Sequence, residues 1–408
     1  MIKAFLIKSS PVLFGAMGGQ IISILTLPLL MSLYSPESFG FYSLILSLVS
    51  IISITSTLRI DRCFLSCEPK DKQRLYQIQI KVLVSMATLL AVLLIAANTL
   101  FTLFDNPIAI IPIYAISLVT GILNVSTTLL ISDSDYYSVG KISFIRPVVV
   151  FIGQLSLFYI LEQKTALMTA TFIAITGCAI FSAKKSSVKT ILCKKDDNKE
   201  SIKKYIDRQY LLNGLFQNTL TTLSNNANIL IVAAIFSPTI LGIYSASEKL
   251  VRLPINVVSN RLKPLLAHRF SNTTTSKRIL IQYSLASGGI ACLGWIAFFL
   301  FGDAIGQALL PEKWLACINM IKYLLGWVVF NFFCLPFQAY NTYLSPMSSL
   351  SKIELLLFTI KIALILTVLA FHKSIYGIIY SVVAISILHL LFHIIVSFNA
   401  IKKGIAND

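Results

Sequence analysis

Apolar runs of about 20 residues recur twelve times along this chain, and that recurrence leaves few folds open. They cover approximately 11–33, 39–58, 80–103, 107–130, 145–161, 165–183, 210–235, 240–258, 279–301, 314–338, 353–371 and 375–398. A bilayer core of about 30 Å is crossed by roughly 20 helical residues. Backbone groups in hydrocarbon must bond within their own segment, so runs this long are helices. Composition agrees: 56% of the 408 residues are hydrophobic and only 12% are charged, against about 25% charged in soluble domains. Disordered chains, secreted disulfide scaffolds and soluble nucleic-acid binders are thereby excluded. The predicted fold class is an all-α polytopic membrane protein with twelve transmembrane helices. The first run is too long for the apolar core of a signal peptide and is expected to stay as the first span.

The net charge of +17 has a membrane explanation, because cytoplasmic loops collect Lys and Arg. With the N-terminus inside, the inner connections and termini hold 27 of the 34 basic residues. The outer side holds three (Lys164, Lys313 and Lys373), and Lys249, Arg252, Lys322 and Lys361 fall within helices. This split predicts both termini in the cytoplasm. Outer connections are short, the longest spanning about 302–313, so no outer catalytic domain fits. The seven cysteines form no CxxC pair and are expected to be small apolar fillers.

One motif occurs twice. Leu33-Tyr34-Ser35-Pro36-Glu37-Ser38-Phe39-Gly40-Phe41-Tyr42-Ser43 follows the first run, and Ile235-Phe236-Ser237-Pro238-Thr239-Ile240-Leu241-Gly242-Ile243-Tyr244-Ser245 follows the seventh. The offset is 202, and it also aligns Arg59 with Arg261. Ser-Pro starts a helix, and a Gly one turn later permits close packing. Matching classes at matching positions indicate a duplicated six-helix unit. An even helix number gives both halves one orientation, the arrangement of parallel transporter repeats. The expected domains are a lobe over 1–183, a basic linker over 184–209 and a second lobe over 210–408.

These features resemble the Wzx-type polysaccharide (O-antigen) flippases, in the superfamily that also holds MATE exporters and the lipid II flippase. The likeness rests on the twelve-helix plan, the Ser-Pro-x-x-x-Gly-x-Tyr turn and two further stretches. One is Tyr244-Ser-Ala-Ser-Glu-Lys-Leu-Val-Arg-Leu-Pro254. The other is Ser138-Val-Gly-Lys-Ile-Ser-Phe-Ile-Arg-Pro147 at the start of the fifth helix. The resemblance implies two lobes around a central cavity, alternating access, and an undecaprenyl-diphosphate-linked oligosaccharide as cargo. It implies a bacterial cytoplasmic membrane and a role in O-antigen, lipopolysaccharide or capsule synthesis. The implied partners are that cargo, membrane lipids and the polysaccharide polymerase.

The residues themselves point to a polar path. The seventh helix carries Asn213, Gln217, Thr221, Ser224, Asn225 and Asn228 within an arc of about 120°. On the eighth, Lys249, Arg252, Asn256 and Asn260 lie within about 80°, with Glu248 adjacent. Small hydroxyl stripes also serve as packing seams, but large amides and paired cations in lipid need another reason. An anionic diphosphate faces tens of kcal/mol on entering hydrocarbon, which a wet cationic cavity removes. The candidate substrate-binding residues are therefore Lys249, Arg252, Asn256, Gln217, Asn225, Asn228, Arg146, Lys322 and Lys361. Snorkelling offers another reading for Lys322, and Arg146 also suits a headgroup anchor. Pro28, Pro112, Pro254 and Pro336 are expected bends.

Other chemistry is not expected. Gly140-Lys141 lacks the rest of a phosphate loop, and His389 and His393 lack the Glu of a zinc protease. Those histidines are expected to pack as polar groups, and neither a cofactor nor a metal is called for. Two alternatives stand beside the flippase. A MATE-like ion-coupled exporter of small molecules would favour acidic residues, and Glu248 is the only carboxylate deep in a predicted helix. A membrane polymerase or glycosyltransferase would need the missing outer loop.

Overall fold

The computed structural model describes residues 2–65, 67–68, 71–101, 109–186, 208–259, 262–263, 266, 269–270, 277–344, 347–371 and 373–402. Thirteen α-helices make up the described chain: α1 Ile2–Leu25, α2 Leu27–Leu33, α3 Pro36–Ser56, α4 Lys72–Phe101, α5 Ile110–Ser132, α6 Tyr136–Leu157, α7 Gln163–Lys185, α8 Arg208–Ile235, α9 Pro238–Pro254, α10 Lys277–Leu309, α11 Ala316–Leu344, α12 Met347–Phe371 and α13 Ile375–Lys402. The first two are halves of one span, broken at Thr26 just before Pro28. The fold is thus an all-α bundle of twelve spans. Most of the basic linker, residues 187–207, lies outside the described residues, as do Asn260 and Arg261.

Nine described helices, α1 with α2 counted as one, are long and apolar enough to cross a membrane; Leu355–Phe371 in α12 is a shorter apolar stretch. Besides α12, the two that fall short are α8 and α9. Their polar residues lower the hydropathy, so the helices that look least like membrane spans are those carrying most of the candidate site.

Contacts group the chain into two compact units, Met1–Tyr34 with Phe41–Ile235, and Ser35–Gly40 with Phe236–Asp408. In the first, α6 packs on α1 and α7, α5 packs on α4 and α7, and Thr55 of α3 meets Thr219 of α8 at 3.4 Å. Gly15 and Gly140 let α1 and α6 touch backbone to backbone: a Cβ on Gly15 would overlap the Gly140 carbonyl, and one on Gly140 that of Pro11. The glycine of the fifth-helix motif is therefore a packing residue.

In the second unit α11 is the centre, touching α9, α10 and α13. Its apolar window is 61% buried, against 11% for the outward α10. The repeated motif is held here. Ser35 caps α3 by accepting from the Ser38 N–H at 3.3 Å, and Ser237 caps α9 by accepting from the Ile240 N–H at 3.4 Å. The two glycines then face one another's turns. A Cβ on Gly40 would strike the Pro238 carbonyl oxygen, and one on Gly242 the Pro36 carbonyl oxygen. Phe39 meets the fully buried Trp314 edge-on, 5.4 Å between ring centroids. The glycine of each copy exists for the proline of the other.

The connection after α3 turns sharply. Leu58 and Arg59 both take left-handed backbone (φ 46° and 62°) before the 3-10 turn Ile60–Leu65. Gln79 anchors the turn by donating to the Thr57 carbonyl at 2.9 Å. Asp61 lies on it with Oδ1 buried and without a partner among the described residues. Burial raises its carboxyl above the usual range, with Arg59 and Arg62 opposing the shift. Burial likewise raises the thiols of Cys63 and, to about 11, Cys67. Cys63, Cys67, Cys178, Cys292, Cys317 and Cys334 are free thiols, and all but Cys292 are buried; Cys193 lies outside the described residues.

Candidate functional site

The second unit gathers its charges around α9. Glu248 and Arg252 are one turn apart, so their side chains share a face. Arg252 grips one carboxylate oxygen, Oε1, with Nη2 at 2.6 Å and Nε at 3.1 Å. The Glu248 side chain is 4% exposed and that of Arg252 29%. The guanidinium also lies over the Trp327 ring of α11, 5.3 Å from its centroid. Lys361 of α12 is buried within electrostatic reach of both Glu248 and Arg252. Two cations and one carboxylate thus share a low-dielectric site with a formal balance of +1. Glu248 Oε2 is buried with no partner among the described residues.

α9 does not run on as a plain helix. After Pro254 the backbone widens into a π turn, Ile255–Ser259. Proline removes one N–H from the ladder, and the wider turn absorbs the mismatch. Asn256 sits in this turn and is partly accessible. Lys249, next in the chain after Glu248, is exposed.

Lys322 is placed elsewhere. Its ammonium is 2.7 Å from Asp303 of α10 and 5.5 Å from the centroid of Phe299. The predicted ninth helix stops at 301, but α10 continues to Leu309 and carries Asp303 with it. The apolar run ends there while the helix does not, which is why sequence missed this pair.

The remaining candidates belong to the first unit. On α8, Gln217 and Asn228 each have a buried amide oxygen with no partner among the described residues, and Asn225 is exposed. Buried carbonyls without a partner are costly. Arg146 of α6 is exposed but acts electrostatically on Tyr42 and Cys178. Beside it runs a network that sequence did not foresee. Tyr34 donates to the Gln154 carbonyl at 2.6 Å, Gln154 Nε2 donates to Tyr42 at 3.4 Å, and Tyr42 meets Thr171 at 2.7 Å. Thr171 donates onward to Leu167, so Tyr42 is the donor in that link.

A family of polysaccharide biosynthesis proteins matches residues 29–319. The chain belongs to that family. No curated protein matches. Solved structures share the fold over nearly the whole length. A point mutant of the Vibrio cholerae MATE transporter VcmN is 14% identical with a TM-score of 0.63, covering 100% of this chain and 98% of that one. A MATE protein in a bent conformation is 12% identical with a TM-score of 0.60, covering 99% and 97%. A MOP superfamily transporter from Pyrococcus furiosus, described as having a binding pocket of reversed polarity, is 11% identical with a TM-score of 0.56, covering 97% and 96%. The chain is thus a polysaccharide biosynthesis family member built on the fold that those transporter structures share.

Proposed function

We propose that this protein moves an undecaprenyl-diphosphate-linked oligosaccharide from the inner to the outer leaflet of the bacterial cytoplasmic membrane. The cargo is an O-antigen or capsule repeat unit, and transport proceeds by alternating access between lobes 1–183 and 210–408, joined by the basic linker. Both termini are cytoplasmic. The observation that carries the reading is the Glu248–Arg252–Lys361 group, in which cations outnumber the carboxylate and only Arg252 is partly accessible. Arg252 is held flat by Glu248 and Trp327, a preorganised fork for a phosphate. Lys361 supplies a further positive charge, and Lys249 is one on an accessible face. Gln217, Asn225 and Asn228 supply amides for sugar hydroxyls. The π turn below Arg252 is where α9 bends during the cycle.

Surface glycan and membrane abundance, measured together, test this. Arg252→Ala should abolish surface glycan at normal abundance, and Arg252→Lys should retain part, because an ammonium cannot reproduce two parallel hydrogen bonds. The double change Glu248→Gln with Arg252→Ala should stay inactive. Recovery in the double variant would reduce Arg252 to a partner of Glu248, and full glycan in Arg252→Ala would refute the assignment.

A further inference from the structure

The start of α10 carries a cavity that the cationic group around α9 does not use. It measures about 420 Å³ and is lined by Arg269, Phe270, Ile279, Gln282, Tyr283 and Ala286. The last four recur at intervals of three, one and three along α10, so they make one face of that helix. Arg269 and Phe270 come from the chain before it. Phe270 is buried, edge-on to Tyr283 of α10 and Tyr340 of α11, with ring centroids 6.0 and 6.1 Å apart. Leu280, Phe337 and Ala339 complete the buried cluster around it. This anchor fixes its neighbour Arg269 at the rim, where the residue is exposed and its guanidinium lies over the Tyr283 ring, 5.2 Å from the centroid.

Charge and polarity both change across this cavity. From Lys249 to Gly302 the sequence holds seven Lys and Arg and neither Asp nor Glu. Lys277 and Arg278 directly precede Ile279 and are both exposed. Among the described residues no carboxylate lines the cavity, so its rim favours an anion. In the other direction the same helix face runs on as Gly289, Ile290 and Leu293. A Cβ on Gly289 would meet nothing within 4 Å, and Ile290 and Leu293 are exposed. Since α10 is the outward helix, this face meets hydrocarbon. From Gln282 to Leu293 it rises about 16 Å, half of a bilayer core about 30 Å thick. The groove therefore matches one leaflet, with a cation and an amide at headgroup depth and open apolar helix down to the midplane. A soluble anion would leave the apolar track idle, and a zwitterionic lipid would bring its own ammonium toward Arg269. A guanidinium with its face on a ring keeps its N–H fork at its edge, the geometry that takes a phosphate through two hydrogen bonds.

We propose that this groove binds one anionic glycerophospholipid of the leaflet in which α10 begins. Arg269 takes the phosphate, Gln282 bonds the glycerol or ester oxygens, and one acyl chain lies along Ala286, Gly289, Ile290 and Leu293. The lipid is a component of the membrane and not the cargo: the groove opens on the outward face of α10, whereas Glu248, Arg252 and Lys361 lie on α9 and α12. Once bound, it ties the segment before α10 to that helix and stabilises the second unit.

The full-length protein, washed free of lipid in detergent, is titrated with palmitoyl-oleoyl phosphatidylglycerol and followed by native mass spectrometry and thermal unfolding. The first lipid should bind about 10-fold more tightly than palmitoyl-oleoyl phosphatidylcholine does, and it should raise the unfolding midpoint. Arg269→Ala should weaken that first binding by about 10- to 100-fold, the loss of charge-assisted hydrogen bonds. Ala286→Trp fills the groove and leaves every charge in place, and it should weaken binding by about 10-fold. Lys141→Ala, which removes an exposed cation on α6, should leave the first binding unchanged. Equal affinity for phosphatidylcholine, or binding undiminished in Arg269→Ala, would overturn the site. So would inorganic phosphate raising the midpoint as far as the lipid does, or a loss in Lys141→Ala equal to that in Arg269→Ala. Displacement of phosphatidylglycerol by equimolar undecaprenyl diphosphate would hand the groove to the cargo and overturn it too. The lipid preference of the parent protein decides the matter if a variant fails to fold.

Discussion

α3 and α9 start on the same Ser-Pro turn and become different helices. Each is capped by its serine hydroxyl, and each offers a glycine to the other's proline. One turn further they part. At the offset of 202, Ser47 and Ser50 of α3 stand where α9 has Lys249 and Arg252. Ser47 turns inward and donates to its own Ser43 carbonyl at 2.9 Å, as hydroxyls do in lipid. Arg252 instead reaches Glu248 and Trp327. α3 runs to Ser56 as an α-helix, while α9 passes into a π turn at Pro254. The turn is a shared architectural joint, and the charges are a property of one copy only.

The joint is broken most severely by Gly242→Ala or Gly40→Ala. Each new methyl meets a backbone carbonyl that cannot move away, so stability in detergent should fall by about 3 kcal/mol or more. Gly289→Ala in α10, where a Cβ meets nothing within 4 Å, should be neutral or stabilising. Equal losses at Gly242 and Gly289 would mean that loss of glycine itself, not the close approach, sets the cost.

The chemical difference between the copies is sharpened by a smaller pair of changes. Glu248→Ala leaves Arg252 and Lys361 without their carboxylate and should cost about 2 kcal/mol. That is below the 3–5 kcal/mol of fully buried pairs, because Arg252 is partly accessible. Ser50→Ala at the position equivalent to Arg252 should stay within about 0.5 kcal/mol. Thermal unfolding of both variants in one detergent compares them.

The smallest effect lies just past each copy, where Asp61 is equivalent to Lys263. The folded state raises the Asp61 carboxyl by burial, so folding favours its protonated form. Its contribution is therefore best below the unfolded carboxylate range and declines as pH rises through the raised folded value. Asp61→Asn should raise the unfolding midpoint at neutral pH and lose that advantage in acid. A midpoint gain that grows toward acid would contradict the sign.

Much of this was legible in the sequence because lipid enforces strict rules. Long apolar runs had to be helices, and amides on α8 had to have a reason. Among the described residues, the amide oxygens of Gln217 and Asn228 are buried without a partner. What could not be read were partners brought together by tertiary packing. Trp327 and Lys361 reach Arg252 from two other helices, across 75 and 109 positions. Asp303 was hidden because hydropathy ends at 301 and the helix at Leu309. The spacing of His389 and His393 was visible, but Cys334 lies 55 positions before His389, and only the packing of α11 on α13 joins them.

The reciprocal glycine contact also sets a clock. Gly40 and Gly242 are separated by 202 positions. At about 5–20 residues per second, a ribosome takes roughly 10–40 s to deliver the second turn after the first. Through that interval the Ser35–Gly40 turn has left the ribosome without the surface it was shaped for, its glycine notch open beside nascent helices and lipid. Biogenesis of this protein therefore includes a waiting period written into the repeat. The contact that ends the wait is the one that each half of the duplication keeps ready for the other.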